Sequence, residues 1–268
     1  MHTNFKAIFD KKPVIGMIHL LPLPGAPNFG GSLRQIEDAA FEDLEALTDG
    51  GADAFLVENF SDIPYSLQLP LEAFAVMASV TSKLAAASRL PFGVNVQANQ
   101  PLAEWALAYA TGASFLRVEA FVENRAGSFG ITQAAAPALM RQRAQYPCPS
   151  MVFADIHAKH TYEVVSGQTT TLCVREAIEC GASALIITGL LTGSNPSLAE
   201  VREMKRLAGN TPVLLGSGVS EENAAEFFAA ADGAIIGSAL KYDGDINRRV
   251  DPARVRRIVQ RAAEGRNL

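Results

Sequence analysis

The sequence predicts an α/β fold, a single (β/α)8 or TIM-type barrel, in which eight parallel strands close into a ring and a helix follows each strand. Short apolar runs, typical of strands covered on both faces, alternate eight times with segments of helical periodicity. No linker or low-complexity segment interrupts this series, so residues 1–268 are interpreted as one domain. A doubly wound open sheet is the alternative, but it would usually have fewer strands and a glycine-rich phosphate turn after the first strand, which this chain lacks.

The predicted elements follow one another along the whole chain. Strands are predicted at Pro13–His19, Ala54–Asn59, Phe92–Gln97, Ser114–Glu119, Met151–His157, Ala184–Gly189, Val213–Leu215 and Ala234–Ile236. Helices are predicted at Ser32–Asp49, Leu71–Ser88, a segment around Trp105 that ends near Gly112, Thr132–Gln145, Thr170–Cys180, Ser197–Ala208, Glu221–Ala230 and Pro252–Ala263. Gly50 and Gly51 end the first helix, and Ser220 is the predicted N-cap of the seventh. Asp251 caps the last helix, with Pro252 at its first position.

The seventh and eighth predicted strands each stop at a glycine that is followed by a serine, in the segments Gly216-Ser217-Gly218 and Gly237-Ser238. Glycine lets backbone N–H groups approach an anion, serine adds a hydroxyl donor, and a following helix N-terminus adds positive potential. In a (β/α)8 barrel, the loops after these two strands commonly bind phosphate. We therefore predict a phosphate-binding site there, with ordinary tight turns as the alternative.

Polar side chains are concentrated at the carboxyl ends of the predicted strands, where barrel active sites lie. The candidate catalytic residues are His19, Glu58, Arg117, Glu119, Asp155, His157 and Lys159, and the candidate substrate-binding residues are Asn59, Asn95, Thr188 and Gly189. Gln97 belongs to the same concentration of polar side chains. Together these groups offer acids, bases and an anion anchor, which suits proton transfer or carbon–carbon or carbon–nitrogen chemistry on a phosphorylated sugar.

Asp155 is the first candidate for a general acid/base or a metal ligand, with Glu58 and Glu119 as its partners. Strand alternation predicts that His157 lies beside the same cavity, unless the turn rotates it outward. Arg117 would orient an acidic or hydroxyl group of the ligand; alternatively, it forms a structural ion pair with Glu119, two residues away on the same face. No cofactor is certain, but the three carboxylates can hold a divalent metal.

Two of the candidate residues have further interpretations. His19 can simply cap the end of its strand. Lys159 is a weaker candidate for a Schiff base, because a catalytic lysine usually lies within a desolvated strand and Lys159 is predicted in a loop.

Composition excludes several classes of function. The net charge is −5, and the one dense basic run, Arg254–Arg261, has the spacing of a solvated helix face, so nucleic acid is not the expected partner. Three cysteines, Cys148, Cys173 and Cys180, form no zinc spacing and indicate free thiols in a reducing compartment. The sequence shows no signal peptide and no apolar run as long as a membrane span, so we expect a soluble cytoplasmic protein. Whether it forms a homo-oligomer stays open.

Several blocks of the sequence resemble the BtpA/SgcQ family. The blocks are Lys12–Gly25, Val57–Asp62, Leu90–Asn95, Ala154–Asp155 with Lys159–His160, Thr188–Gly193, Leu215–Val219, and Asp232–Gly237 with Lys241. The resemblance covers almost the whole chain, and its first and last blocks are specific. The chain departs from the family pattern after the third strand, where Gln97–Gln100 replaces the expected Leu-Arg-Asn-Asp, and after the fourth, where Glu119 and Gly127–Gly130 differ from the pattern. These departures fall on loops of the active face.

The resemblance implies a barrel related to phosphate-binding barrel enzymes. It also implies two classes of function, because the family takes its name from a role in photosystem I accumulation, whereas other members are similar to products of sugar-metabolism operons. We expect an enzyme of isomerase, epimerase or lyase type acting on a phosphorylated sugar or similar small metabolite. The alternative is a non-catalytic assembly factor for a membrane complex that has kept the barrel.

Overall fold

The computed structural model describes residues 4–188 and 196–267, and within them eight parallel strands close into a barrel surrounded by helices. The predicted barrel is therefore confirmed. Its strands are β1 (Val14–His19), β2 (Ala54–Glu58), β3 (Phe92–Asn95), β4 (Phe115–Val118), β7 (Met151–Ile156), β9 (Ala184–Ile187), β10 (Val213–Leu215) and β11 (Ala234–Ile236). They stand in chain order around the ring, and β1 closes it by pairing with both β2 and β11.

The helices are α1 (Phe5–Ile8), α2 (Leu33–Gly50), α3 (Leu71–Ala87), α4 (Pro101–Thr111), α5 (Ala136–Gln145), α6 (Thr170–Glu179), α7 (Leu198–Ala208), α8 (Ala224–Ala230) and α9 (Pro252–Arg266). Most ends follow the predicted signals. The Ser32 hydroxyl accepts a hydrogen bond from the Gln35 amide at the start of α2, and Gly51 ends this helix with φ +84°. Asp251 caps α9, and Pro252 is its first residue.

Two predicted helix starts are wrong. The helix predicted from Thr132 begins at Ala136, because Thr132 belongs to a hairpin of β5 (Arg125–Gly127) and β6 (Gly130–Thr132). A short strand, β8 (Tyr162–Glu163), pairs with β5 to complete a three-stranded sheet. The helix predicted from Glu221 begins at Ala224.

Ser220 is not the N-cap of α8, contrary to the prediction. Its amide donates to the Asn223 side chain at 2.8 Å, and its hydroxyl donates to the Glu222 carboxylate at 2.5 Å. These local side-chain bonds hold the segment in a turn and compete with the first helical turn. The β10–α8 loop is consequently three residues longer than predicted.

The half of the barrel interior at the amino-terminal ends of the strands, which we call the lower half, is closed by α1. The sequence did not predict this helix. The ring centroid of Phe5 lies 5.9 Å from that of Phe153, that of Phe9 lies 6.1 Å from that of Phe115, and the Phe115 and Phe153 rings stack with centroids 4.6 Å apart. All four rings are buried, together with apolar residues of the strands. The amino-terminal end of the barrel is therefore a packed apolar core.

A buried ionic cluster fastens the segment after β11 to the outside of the barrel. Asp43 of α2 lies 3.1 Å from the Arg249 guanidinium and 3.8 Å from Lys241 Nζ, and it accepts the Val250 amide at 2.8 Å. Asp43 and Lys241 are fully buried. This cluster fixes residues 241–250, including Ile246, above the carboxyl end of the barrel.

In the part of the chain that the structure describes, no helix combines the length and hydrophobicity needed to cross a bilayer.

Candidate active site

A cavity of about 560 Å³ lies at the carboxyl ends of the barrel strands. Most of the predicted site residues line it, namely His19, Glu58, Arg117, Glu119, Asp155, Lys159, Thr188, Gly216, Ser217, Gly218, Gly237 and Ser238. Gly189 lies outside the described residues. His157, Asn59 and Asn95 do not line the cavity. The expected concentration of polar groups at one mouth thus forms, with three departures.

The strand order gives the cavity two opposite sides. In a ring of eight strands, β2, β3 and β4 stand across from β9, β10 and β11. Glu58, Gln97 and Glu119 belong to the first side, which we call the carboxylate side. Ser217 and Ser238, which follow β10 and β11, belong to the opposite side, which we call the serine side.

Arg117 and Asp155 form a two-pronged ion pair at the base of the cavity. Arg117 Nε donates to Asp155 Oδ1 at 2.9 Å, and Nη2 donates to Oδ2 at 2.8 Å. Burial raises the pKa of Asp155, and the charge and hydrogen bonds of Arg117 oppose that rise. The alternative of an ion pair between Arg117 and Glu119 is not realised, because the guanidinium reaches across to β7 instead. Both oxygens of Asp155 are therefore occupied.

The carboxylate side is organised by a single amide. Gln97 Nε2 donates to Glu58 Oε1 and to Glu119 Oε1, each at 2.6 Å. Burial raises the pKa of Glu58, and it raises the pKa of Glu119 to about 7 against the opposing charge of Arg117. Two carboxyl groups joined through one amide, with a raised proton affinity, suit proton transfer near neutral pH.

His19 stands beside Glu58 as a neutral imidazole. Its ring stacks on Phe60 with centroids 4.4 Å apart, and Nε2 lies 3.8 Å from Glu58 Oε2, beyond hydrogen-bond distance. Burial, and then the charges of Lys241 and Arg249, hold the pKa of His19 well below its usual value. Its Nδ1 is buried without a hydrogen-bond partner in the described residues.

On the serine side, two glycines make room for other side chains. A Cβ on Gly216 would lie 3.3 Å from Arg117 Nη2 and only 2.5 Å from Ile186, and a Cβ on Gly237 would lie 3.3 Å from His19 Cε1. Steric packing by itself therefore explains why Gly216 and Gly237 lack side chains, independently of any ligand. Gly218, with φ +82°, turns the chain after β10.

The serine side nevertheless carries hydrogen-bond donors. Ser238 and Ala239 begin a 3₁₀ turn, so their amides lack intrahelical partners, and the Gly218 amide likewise has no acceptor within the described residues. The Ser217 hydroxyl donates to the Thr188 carbonyl at 2.8 Å, and Lys159 Nζ lies 3.4 Å from Ser217 Oγ. The positive charge of Lys159 therefore lies on the serine side of the cavity.

The predicted placement of His157 beside the cavity is wrong. With φ +53°, the chain turns after β7 and carries the imidazole outward, where Nδ1 lies 2.8 Å from Glu123 Oε1 and the His157 amide donates to Glu123 Oε2 at 2.8 Å. His157 Nε2 lies 3.2 Å from Thr170 Oγ1. This residue fastens the end of β7 to the loop after β4.

Asn59 and Asn95 support the carboxylate side from behind. Asn59 Oδ1 accepts a hydrogen bond from the backbone N–H of Gln97 at 2.7 Å, and Asn59 Nδ2 donates to Asp62 at 2.9 Å. Asn95 Nδ2 donates to the Arg117 carbonyl at 3.0 Å. Both side chains are buried and hold the β2, β3 and β4 ends in register. The structure therefore does not place them where they could contact a ligand in the main cavity.

The three carboxylates proposed as metal ligands do not form a metal-binding group. Arg117 occupies both Asp155 oxygens, and the Gln97 amide stands between Glu58 and Glu119. Within residues 4–188 and 196–267, the group whose donor atoms lie within 4.8 Å of one another is Glu123, His157 and Cys173, outside the cavity. There the Glu123 oxygens already accept bonds from His157 and Arg125, which explains the cluster without an ion.

Sequence reasoning missed the aromatic lining of the cavity. Phe60 and Tyr65 from the β2–α3 loop and Phe129 from the β5–β6 hairpin all line it. Phe60 falls within a block that resembles the family, so its position after a strand end was a usable signal. Tyr65 and Phe129 lie in loops whose path the sequence does not reveal. The importance of Gln97 as a bridge was likewise visible only from its two partners.

Comparison with known proteins places the chain in a family. The BtpA family profile matches residues 10–264. The photosystem I biogenesis protein BtpA of Synechocystis is 35% identical over 97% of this chain and 91% of its own length. The putative sgc region protein SgcQ of Escherichia coli is 32% identical over 96% of each chain.

Solved structures agree on the fold at low sequence identity. Phosphoribosylanthranilate isomerase of Pyrococcus furiosus matches with a TM-score of 0.56 at 15% identity, over 94% of this chain and 98% of its own. A tryptophan synthase structure from M. tuberculosis matches with a TM-score of 0.61 at 17% identity, over 98% and 97%. These likenesses concern the barrel alone. From the family profile and the two relatives, the chain belongs to the BtpA family.

Proposed function

We propose that the protein is an enzyme that transfers a proton on a phosphorylated sugar or similar small metabolite, in a reaction of isomerase, epimerase or lyase type. One observation carries the proposal: a single cavity has amide, hydroxyl and lysine donors on one side and a pair of carboxyl groups with raised pKa on the other. An anion held on the serine side would present the rest of the ligand to the carboxylate side.

The anion-binding half of the proposal rests on the serine side. The amides of Gly218, Ser238 and Ala239 can donate to phosphate oxygens, and the Ser238 hydroxyl adds a further donor. Lys159 supplies positive charge within reach of the same loops. We therefore assign Lys159 to phosphate binding and not to a Schiff base. Because α8 starts three residues later than predicted, loop amides replace the helix N-terminus in this role.

The catalytic half of the proposal rests on Glu119. Its carboxyl has a pKa raised to about 7, and one of its oxygens is bonded to Gln97. A group with a pKa near the working pH transfers protons most effectively. Glu58 is its partner through the shared amide. Glu119 replaces Asp155 as first candidate, because the hydrogen bonds from Arg117 engage both oxygens of Asp155.

A non-catalytic assembly role is the second candidate. The relative from Synechocystis is named a photosystem I biogenesis protein. Apolar side chains are also exposed around the three-stranded sheet, with Ile131 58%, Tyr162 64% and Val165 52% exposed. An assembly factor would use this surface and would not need proton transfer in the cavity.

Deuterium uptake separates the two candidates. The protein would be incubated in D₂O with a panel of sugar phosphates, and carbon-bound deuterium would be measured by mass spectrometry. We expect uptake into at least one compound with the native protein and none with Glu119→Gln, while the exposed control Glu45→Gln matches the native protein. Absence of uptake with every compound would favour the assembly role.

Anion binding is tested separately by thermal unfolding with inorganic phosphate. A ligand that binds the native state must raise Tm, and Ser238→Asp places a carboxylate at the proposed site on an exposed residue. We expect phosphate to raise the Tm of the native protein and of Ser79→Asp, a matched control on α3, but not that of Ser238→Asp. An equal rise in all three proteins would show that the anion binds elsewhere.

A further inference from the structure

We infer that the ligand carries a protonated amine or similar cationic nitrogen at the end opposite its phosphate, held by Glu58, Glu119 and the aromatic residues Phe60, Tyr65 and Phe129. This inference rests on the proposed function, and it adds the chemical class of the ligand. Three features of the carboxylate side support it: its charge, its aromatic lining and its position relative to the serine side.

The carboxylate side has an excess of negative charge. Among the described residues, the acidic groups lining the cavity are Glu58, Glu119 and Asp155, and the lysine and arginine groups are Arg117 and Lys159. The Arg117 charge is engaged by Asp155, and Lys159 reaches the serine side. No lysine or arginine of the described residues lies within 4.0 Å of either glutamate. Burial raises the pKa of both glutamates against the charge of Arg117, so a cationic ligand group beside them would favour their ionised forms.

Neutral donors do not satisfy these carboxylates. Gln97 supplies one bond to each, and His19 Nε2 lies 3.8 Å from Glu58 Oε2, beyond hydrogen-bond distance. Glu119 has no further hydrogen bond within the described residues. An ammonium group has three donors and can bond both glutamates at once.

Aromatic side chains from two neighbouring loops also line the cavity. Tyr65 is within electrostatic reach of both glutamates, since burial and then the charges of Glu58 and Glu119 raise its pKa. The hairpin that carries Phe129 contacts the β2–α3 loop, where a Cβ on Gly130 would lie 3.3 Å from Leu67 Cδ1. Carboxylates combined with aromatic faces are the chemistry that recognises cationic nitrogen.

The two sides of the cavity then match a dipolar ligand. The serine side presents donors and the lysine charge, and the carboxylate side across the ring presents acceptors and aromatic faces. A sugar phosphate without an amine would place no positive charge beside the two glutamates. A phosphorylated metabolite with an amine at its far end would satisfy both sides at once.

Matched ligand pairs test the inference by isothermal titration at pH 7. The pairs are glucosamine 6-phosphate with glucose 6-phosphate, and phosphoethanolamine with 2-hydroxyethyl phosphate, which differ in an amine or a hydroxyl. We expect the amine of at least one pair to bind roughly tenfold more tightly, a difference of about 1.4 kcal/mol. Glu119→Gln should reduce that preference to about twofold or less, and Glu45→Gln should leave it intact.

Three other results would contradict the amine site or the anion site. Equal affinity within both pairs, while inorganic phosphate binds, would overturn the inference and leave the proposed function standing. If phosphate fails to bind but phosphate-free glucosamine binds in a manner dependent on Glu119, the anion site is wrong and the amine site stands. If Mg²⁺ alone raises the Tm of the native protein but not of Glu119→Gln, and neither pair shows a preference, the glutamates bind a metal and the inference fails.

Discussion

The lower and upper halves of the barrel interior are built from the same strands but have opposite chemistry. On β4, Phe115 points into the lower half and Arg117 into the upper half, and Glu119, which directly follows the strand, also lines the upper half. On β7, Phe153 lies below and Asp155 above. Because side chains two apart share a strand face, one inward row per strand supplies both layers.

The difference shows how the barrel separates stability from chemistry. The lower half buries aromatic surface against α1, which stabilises the fold by the hydrophobic effect. The upper half buries carboxyl groups whose raised pKa values show that their ionised forms are destabilised. Removal of an upper-half carboxyl group that has no ion-pair partner should therefore stabilise the protein, whereas removal of a lower-half ring, or of one partner of the Arg117–Asp155 pair, should destabilise it.

The largest expected effect is in the lower half. Phe153→Ala removes a ring that packs against Phe5 and Phe115, and the cavity left behind should lower the free energy of unfolding by about 4 kcal/mol. Urea denaturation measures the change, and phosphate affinity of the folded fraction should stay unchanged. Tyr162→Ala, at a ring that is 64% exposed, is the control and should change stability by less than about 0.5 kcal/mol. A loss of phosphate binding in folded Phe153→Ala would contradict the separation of the halves.

Asp155→Asn should have the next largest effect, a destabilisation of about 3 kcal/mol, because it leaves the Arg117 guanidinium unpaired in the barrel. This outcome differs from what an isolated catalytic carboxylate would show, where removal of the charge preserves stability or raises it. The double variant Arg117→Met/Asp155→Leu removes both charges and should recover part of the loss. Additive effects in this double-mutant cycle would show that the pair is not coupled.

Glu119→Gln should have the smallest effect and the opposite sign. The carboxyl has a pKa of about 7 in the folded protein against an ordinary value of 4.5, so the native protein loses stability as pH rises from about 4.5 to 7. Above pH 7 the variant should be more stable, by at most about 2 kcal/mol after allowance for cavity solvent, and below pH 4.5 the two should converge. Thermal unfolding across pH 4–8 measures this. A variant less stable than the native protein at pH 8 would show that Glu119 is favourably ionised.

Local sequence patterns were enough to predict the framework. Apolar runs that end at Gly216 and Gly237, the helix cap at Asp251, and the alternation of strands and helices depend on short-range sterics and hydrogen bonds, which the sequence shows directly. The same reasoning placed most of the polar site residues correctly at the cavity, because the carboxyl ends of parallel barrel strands must meet at one mouth.

The tertiary structure decided the choice of partners. Arg117 had an acidic neighbour two residues away in Glu119, yet it pairs with Asp155 from the next strand around the ring. His157 follows the inward period of β7, but its positive φ and the Glu123 carboxylate turn it outward. Each of these contacts joins groups more than thirty residues apart in the sequence. Local hydrophobic periodicity contains no information about such distant partners. The shared Gln97 amide, the α1 plug and the hairpin that brings Phe129 to the cavity arise in the same way, because long-range packing selects among conformations that are locally equivalent.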